Sequence, residues 1–198
     1  MIVEILALPA AILVFLTSLI LLIGRDWRLL LAALAVQYIG VLLLTALSWS
    51  IEIAAVKLVT GWMAAAVLGV ALIYTPPELH AEGVLSRPGM VFRIFAAALV
   101  GLVAFTWGGK LAAFIPEIAP AQAYGGFILI LMGLLSLGLT IRPLRVTLGL
   151  LTVLAGFEVL YAALEQATLV TALLAAVNLS LAMVGAYLIG APIPGEQE

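Results

Sequence analysis

Glu158 is the residue of this chain best placed to do chemistry, because its carboxyl lies inside a long apolar run. Arg145 precedes it by 13 residues, which is about 20 Å along a helix at 1.5 Å per residue. A charge at the centre of a bilayer costs about 2.5–3.5 kcal/mol on insertion scales, so a deep carboxyl is a functional candidate by default. Since burial disfavours the charged form, Glu158 could bind and release a proton. The alternative is a permanently neutral side chain that hydrogen-bonds a neighbouring helix.

Tyr161 and Glu165 follow Glu158 by three and seven residues, a spacing that places all three on one face of a helix. Together they could line a hydrated path from Glu158 to the outer surface. Glu165 taken alone is typical of a loop residue at the end of a helix. We therefore predict a proton path over this face, with Glu158 as its deepest member.

Three further polar residues lie inside apolar runs, namely Gln37, Asn178 and Lys57. Neutral amides at that depth commonly bridge helices, and each such bond contributes roughly 0.6–2 kcal/mol. Gln37 and Asn178 are therefore candidates either for helix bridging or for the proton path. Lys57 is expected to extend its long side chain outward to the interface. Alternatively, it stays in the membrane and pairs with a carboxylate of another subunit.

The composition restricts the class of protein. Of 198 residues, 66% are hydrophobic and 9% are charged, and the mean hydropathy is +1.34. Soluble domains carry about 25% charged residues, so a water-soluble enzyme, a nucleic-acid binder and a disordered segment are excluded. The chain has no Cys and a single His, His80, which excludes disulfides and argues against thiolate or imidazole metal sites. We expect no catalytic, cofactor-binding or metal-binding residue and no bound cofactor.

A membrane span needs roughly 20 mostly apolar residues, and the sequence contains seven such runs. They predict an all-α, polytopic integral membrane protein with about seven transmembrane helices in a single domain, residues 1–198. The predicted spans are Ile2–Ile23, Leu29–Leu47, Ile53–Tyr74, Met90–Trp107, Ala123–Ile141, Val146–Leu164 and Leu169–Ile189. The polar loop Thr75–Gly89 is either a plain connector or a surface that rests on a neighbouring protein.

Two sequence similarities predict an internal repeat. The loops that contain Arg25-x-x-Arg28 and Arg142-x-x-Arg145 follow the first and fifth spans, and Val67–Ile73 resembles Met183–Ile189 at nearly the same separation. Units 1–74 and 123–190 would then be parallel repeats joined by the helix 90–107, an architecture known among membrane proteins. Glycines in the later spans suit close helix packing; they are Gly133, Gly138, Gly149, Gly156, Gly185 and Gly190.

The last three spans carry a family resemblance. Arg142-Pro143-Leu144-Arg145, followed by Gly156-Phe157-Glu158-Val159-Leu160-Tyr161-Ala162-Ala163, resembles subunit K of NADH:quinone oxidoreductase (complex I). That family has a basic cytoplasmic loop, then Gly-Leu-Glu, two or three apolar residues and Asn-Ala. Ala175–Ser180 resembles its Ala-rich stretch with a second buried Glu. The chain as a whole, with extra helices before this core, is similar to component E of hydrogenase-4 and its relatives in membrane-bound hydrogenases.

The resemblance implies a membrane subunit of a complex-I-like, proton- or sodium-pumping redox assembly, in which Glu158 matches the key intramembrane carboxylate. Its implied partners are other membrane subunits, including a larger antiporter-like subunit, and the surrounding lipid. The chain departs from the family at Ala162, in place of Asn, and at Asn178, in place of the second Glu. The spacing from the basic loop to Glu158 is also about one turn longer. Because Asn does not titrate, a relay of two carboxylates within this chain is not supported.

Two other functions remain open from the sequence. In the first, the chain is a purely structural subunit that joins its neighbours and keeps Glu158 neutral. In the second, it is a small free-standing transporter with a substrate cavity between the two predicted repeats. The subunit and scaffold hypotheses predict purification as part of a large hetero-complex, whereas the transporter hypothesis predicts a homo-oligomer.

The distribution of basic residues predicts the orientation. Loops on one side of a seven-span protein, with their flanks, hold six of the eight Lys and Arg residues; these are Arg25, Arg28, Arg87, Arg93, Arg142 and Arg145. The positive-inside rule then places the N-terminus outside and the C-terminus in the cytoplasm. The family resemblance implies that the membrane is the cytoplasmic or another energy-transducing one.

A C-terminal reporter tests this orientation. We expect a fluorescent protein fused after Glu198 to fluoresce and alkaline phosphatase at the same position to be inactive, because the C-terminus is predicted to be cytoplasmic. The matched control is a fusion after Glu117, in a loop predicted on the other side, which should give the opposite pair of signals. Active phosphatase at the C-terminus would contradict the topology.

Overall fold

The computed structural model describes residues 2–76, 87–165 and 167–191, and within these ranges the chain forms seven helices and no strand. Each helix is long and apolar enough to cross a membrane. The predicted fold class, an all-α integral membrane protein with seven spans, is confirmed. The helices are α1 (Ile2–Ile23), α2 (Trp27–Thr45), α3 (Ile51–Tyr74), α4 (Arg87–Phe114), α5 (Pro120–Gly138), α6 (Pro143–Leu164) and α7 (Thr168–Gly190).

Most helix bounds lie within three residues of the predicted ones, but the predicted end of α4 at Trp107 is wrong. The helix continues through Gly108, Gly109 and Lys110 to Phe114. A Cβ atom on Gly108 would lie only 2.7 Å from Cδ1 of Tyr124 on α5. The glycines thus let α4 and α5 pack closely. In a sequence, a glycine pair at a close helix contact looks the same as a glycine pair that ends a helix.

Prolines explain the early starts of α5 and α6. Each begins at a proline, Pro120 and Pro143 respectively, and a proline is well tolerated in a first turn because the backbone N–H that it lacks has no partner there. At α2 the side chain of Asp26 accepts a hydrogen bond from the backbone N–H of Arg28 at 2.9 Å. The predicted starts were later because they followed the first apolar residue of each run.

Several sequence predictions fall outside the described residues. Most of the polar loop Thr75–Gly89 does so, at residues 77–86, which include His80. The side chain of Arg87 and the chain after Ala191 are also outside.

The helices pack as two three-helix layers. α1 contacts α2 and α2 contacts α3, while α5 contacts α6 and α6 contacts α7. Across the interface α1 packs on α5, α2 on α6 and α3 on α7, so helices in equivalent positions of the two predicted repeats touch each other. This is the arrangement that a duplication would produce, and the duplication itself stays a prediction. α4 lies outside the two layers against α1 and α5.

One end of the bundle, here called the arginine end, is held by arginines that cap helices. Arg145 on α6 donates hydrogen bonds to the carbonyls of Leu21, Leu22 and Gly24 at the end of α1. Arg93 on α4 donates to Leu22 at 2.8 Å and to Leu139, after α5, at 3.4 Å. The last carbonyls of a helix have no partner within it and carry partial negative charge. Two of the basic residues that predict the orientation therefore also join four helices.

Glycines let α5 and α6 approach closely at two levels. A Cβ atom on Gly156 would lie 2.7 Å from the carbonyl oxygen of Gly126 and 2.7 Å from the backbone nitrogen of Ile130. A Cβ atom on Gly133 would lie 2.9 Å from the carbonyl oxygen of Gly149. Membrane helices associate largely through such close packing, since apolar side chains gain little by leaving lipid.

We predict that Gly156→Ala lowers the free energy of unfolding by about 1–3 kcal/mol, as expected for overpacking against a backbone. The matched control is Gly138→Ala on α5, where a Cβ atom would have no neighbour within 4 Å; its effect should be within about 0.5 kcal/mol. Unfolding in detergent micelles, followed by circular dichroism, measures both. Equal effects of the two substitutions would contradict the close packing of α5 on α6.

Candidate functional site: a buried lysine–glutamate pair

Glu158 on α6 forms an ion pair with Lys57 on α3. The Lys57 Nζ atom donates to Glu158 Oε1 at 2.8 Å, and both side chains are 0% exposed. Lys57 comes six residues after Ile51, where α3 begins, and Glu158 comes six residues before Leu164, where α6 ends. Both charges therefore lie about 9 Å from the same end of the bundle, here called the tryptophan end after Trp49.

The expectation that Lys57 extends to the interface is wrong, whereas the alternative is right in that Lys57 stays buried and pairs with a carboxylate. Its ammonium neither extends to the interface nor needs a carboxylate of another subunit, because Glu158 of the same chain binds it. An opposite charge in hydrogen-bonding geometry compensates much of the cost of removing an ammonium from water. The Nζ atom also lies 6.0 Å from the ring centre of Trp49, at the limit of a cation–π contact. The available signal was the similar depth of the two residues, since Lys57 lies four residues from the start of its predicted span and Glu158 six residues from the end of its own.

Tyr38 and Asn178 form a second buried polar pair. The Tyr38 hydroxyl on α2 donates to Asn178 Oδ1 on α7 at 3.0 Å, and both residues are almost fully buried. The Tyr38 ring lies directly on Gly61 of α3, where an added Cβ atom would overlap the ring. Gly61 follows Lys57 by four residues, which is one turn of α3, so the Tyr38 ring packs beside the ion pair. Sequence reasoning did not assign Tyr38 to the site, although its place beside Gln37 in the middle of a span was a signal.

Two buried polar atoms in the described part of the chain have no hydrogen-bond partner, and both belong to this cluster. They are Glu158 Oε2 and Asn178 Nδ2. A carboxylate has two acceptor oxygens and an amide nitrogen has two donor hydrogens. Glu158 thus uses one oxygen to hold Lys57 and keeps the other able to accept a proton or a hydrogen bond.

Gln37 bridges α1, α2 and α6. Its Nε2 donates to the Ser18 hydroxyl at 2.9 Å, and its Oε1 lies 3.5 Å from the Thr152 hydroxyl. Thr152 also donates to the carbonyl of Leu148 at 2.7 Å. All three side chains are buried. This geometry suits the helix-bridging interpretation of Gln37.

Gln122 on α5 lies near the ion pair. Sequence reasoning did not identify it as a residue of the site. Its side chain is fully buried; Nε2 donates to the carbonyl of Val159 at 3.2 Å, and Oε1 accepts from the Ser48 hydroxyl at 3.0 Å. Gln122 therefore binds the residue that follows Glu158. It stands near the start of a span, where the apolar pattern does not reveal whether an amide is buried.

Tyr161 and Glu165 have contacts other than Glu158. The half-buried Tyr161 ring stacks on Phe157, with ring centres 5.8 Å apart. Glu165 is exposed, and its backbone carbonyl accepts a hydrogen bond from the Trp49 indole at 3.1 Å. A hydrated path over the face shared by Glu158, Tyr161 and Glu165 stays a prediction.

A cavity of about 450 Å³ lies between α1, α4 and α5. Its lining is almost entirely apolar and includes Phe15, Phe105 and Tyr124, so it offers no charged group to an ion. Among the described residues no group of three or more His, Cys, Asp or Glu side chains could hold a metal ion.

The fold and the site define a seven-span, all-α integral membrane protein with an ion pair buried among its helices. Comparison with protein-family models, curated proteins and solved structures finds no match to this chain. The chemistry of the buried side chains is therefore the main physical guide to function.

We predict that Glu158→Leu lowers the free energy of unfolding by about 3–5 kcal/mol, because it leaves the Lys57 ammonium buried without its partner. The double variant Lys57→Met/Glu158→Leu should recover most of that loss, since it removes both charges. Glu117→Leu, at an exposed carboxyl in the loop after α4, is the control and should change stability by about 0.5 kcal/mol or less. Unfolding in detergent measures all three; losses that simply add in the double variant would contradict a direct Lys57–Glu158 interaction.

Proposed function

We propose that this chain is a membrane-arm subunit of a complex-I-like or membrane-bound-hydrogenase-like assembly. In this proposal it contributes Glu158 to proton or sodium translocation beside a larger antiporter-like subunit. The resemblance of the Arg142–Ala163 region to subunit K supports the assignment. Electron transfer belongs to other subunits in this proposal, because the sequence has no Cys and one His to ligate redox centres.

The observation that carries the proposal is the fully buried Lys57–Glu158 pair with a free carboxylate oxygen. A buried ion pair adds little stability compared with well-packed apolar side chains. Ionisable residues inside membrane spans are rare and characteristically mark ion pathways. A pair that contributes little to stability and keeps Glu158 Oε2 free is therefore well suited to exchange a proton.

The pair suggests how one proton would move. While Lys57 is close, its ammonium favours the ionised form of Glu158. Charge movement in a neighbouring subunit that draws Lys57 away, toward the ring of Trp49, would let Glu158 Oε2 accept a proton from water. Return of Lys57 would release that proton. The second ionisable group is then Lys57 rather than a carboxyl at residue 178, where this chain has Asn.

The proposal includes an orientation and a location. The arginine end would face the cytoplasm, with the N-terminus outside and the C-terminus inside a cytoplasmic or another energy-transducing membrane. The Lys57–Glu158 pair would then lie nearer the outer surface. Lipid and other membrane subunits would cover the exposed apolar faces of the bundle.

A purely structural role is the second candidate. The bonds of Gln37 with Ser18 and of Tyr38 with Asn178 favour it, because such contacts hold membrane helices together without any transport. In that case Lys57 and Glu158 would be a permanent pair that fixes α3 on α6.

Glu158→Gln in the intact assembly separates the two functions. Gln keeps the shape of the side chain but cannot exchange a proton, so the rate of ion translocation should fall by roughly 100-fold, the lower part of the range for a positioned proton-transfer group. Assembly should be retained, as judged by purification of the whole complex in mild detergent. Glu117→Gln, which changes an exposed carboxyl in the loop after α4, is the control and should pump normally. An unchanged rate of ion translocation in the Glu158→Gln variant would contradict the proposal and favour a purely structural role.

A further inference from the structure

Three exposed arginines lie on two loops of the arginine end. Arg25 is in the loop between α1 and α2, Arg28 is the second residue of α2, and Arg142 is the residue before α6. The side chains of all three are exposed. These three residues are called the arginine patch here. They differ from Arg145 and Arg93, whose guanidiniums are bound to helix carbonyls.

A hydrogen bond between the two loops holds the arginine patch together. The buried Arg145 side chain donates to the carbonyl of Gly24, which is the residue before Arg25. Arg145 also follows Arg142 by three residues, close to one turn of a helix. The helices that carry these loops are in contact, since α1 packs on α5 and α2 packs on α6. Arg145 therefore fixes the loop of Arg25 beside the loop of Arg142.

The arginine patch keeps a positive charge that the described part of the chain does not neutralise. Asp26 is the carboxylate within the patch, and its side chain accepts a hydrogen bond from the backbone N–H of Arg28 at 2.9 Å. Among the described residues, neither Arg25, Arg28 nor Arg142 forms an ion pair. Three guanidiniums beside one carboxylate leave a net positive charge, which attracts an anionic ligand.

The patch lies at the level of lipid headgroups, because its residues stand at or next to the ends of membrane spans. The guanidinium of Arg28 lies 5.2 Å from the ring centre of Trp27, and tryptophan is enriched at the interface between membrane and water. Ile141, the neighbour of Arg142, is 95% exposed. The patch thus combines cationic groups with aromatic and apolar surface, the chemistry that matches a charged headgroup and the first part of its acyl chains.

From this arrangement we propose that the arginine patch binds an anionic phospholipid of the leaflet at the arginine end. A guanidinium can bind a phosphate through two parallel hydrogen bonds, and basic residues beside membrane spans recognise anionic headgroups. The charge alone would also attract an acidic segment of another protein, but the headgroup level and the exposed Ile141 favour a lipid. This binding does not depend on the proposed function.

Binding of two lipids to the full chain in an uncharged detergent tests the site. The probes are phosphatidylglycerol and phosphatidylcholine with identical acyl chains, and native mass spectrometry gives the dissociation constant of each. Their ratio is the preference for the anionic headgroup. Each basic residue near an anionic lipid surface contributes roughly fivefold, so Arg25→Gln, Arg28→Gln and Arg142→Gln should each lower the preference by about that factor. The triple variant should lower it by roughly 100-fold.

The matched control is Lys110→Gln near the tryptophan end. Lys110 is exposed, and its ammonium lies 5.0 Å from the ring centre of Trp107, so it makes the same kind of contact as Arg28 but lies outside the patch. Its substitution should change the preference by about twofold or less. Glycerol 3-phosphate carries the phosphate without acyl chains, and it should fail to displace phosphatidylglycerol at equal concentration. Since the substituted side chains are exposed, circular dichroism should show unchanged helix content in every variant.

An unchanged preference in the triple variant would overturn the site, and an equal loss in Lys110→Gln would overturn its location. Displacement by glycerol 3-phosphate would overturn the lipid as its ligand in favour of a soluble phosphate compound. No preference in the native chain, together with loss of a neighbouring subunit from the intact assembly of the triple variant, would assign the patch to an acidic protein instead. The pumping rate of Glu158→Gln bears on none of these outcomes, so the proposed function and the lipid site are tested separately.

Discussion

A lysine and a glutamate buried together among apolar helices impose the strictest constraint on this structure. Hydrocarbon offers neither water nor counterions, so each charge must find its partner inside the protein. The Lys57–Glu158 contact requires α3 and α6 to lie at one depth and rotation. Tyr38 fits into the same region only because Gly61 has no side chain under its ring, and this brings its hydroxyl to Asn178.

Similar polar contacts and close backbone contacts hold the rest of the bundle together. Polar side chains pair across helices at successive levels, as Gln37 does with Ser18, and Arg145 satisfies carbonyls at the end of α1. Between these levels glycines bring the backbones of α5 and α6 together. Removal of apolar surface from water contributes little between helices in lipid, so polar pairing and close packing decide which helices are neighbours.

The ion pair and the Tyr38–Asn178 pair share one chemical feature. A pair in which every polar atom is satisfied would be a rigid link, whereas Glu158 retains an unbound oxygen and Asn178 an unbound amide hydrogen. These two atoms belong to a cluster of buried polar side chains from four helices: Tyr38 of α2, Lys57 of α3, Glu158 of α6 and Asn178 of α7. A site with free bonding capacity is suited to exchanging protons, and under the proposed function the redox chemistry that drives the exchange lies in other subunits.

Local chemistry in the sequence determined the fold class, the seven spans, and the depth of Glu158, Gln37 and Asn178. Apolar runs of sufficient length form helices in a membrane whatever their neighbours, and a polar residue in such a run is deep by position alone. The sequence failed where the outcome depends on a distant partner: Lys57 was expected to reach the interface, and Gly108-Gly109 to end α4. The carboxylate that binds Lys57 lies 101 residues away, and the ring that packs on Gly108 belongs to another helix. Only the tertiary structure decided these points, because the energy of a buried charge or of a close backbone contact depends on which atoms the other helices place beside it.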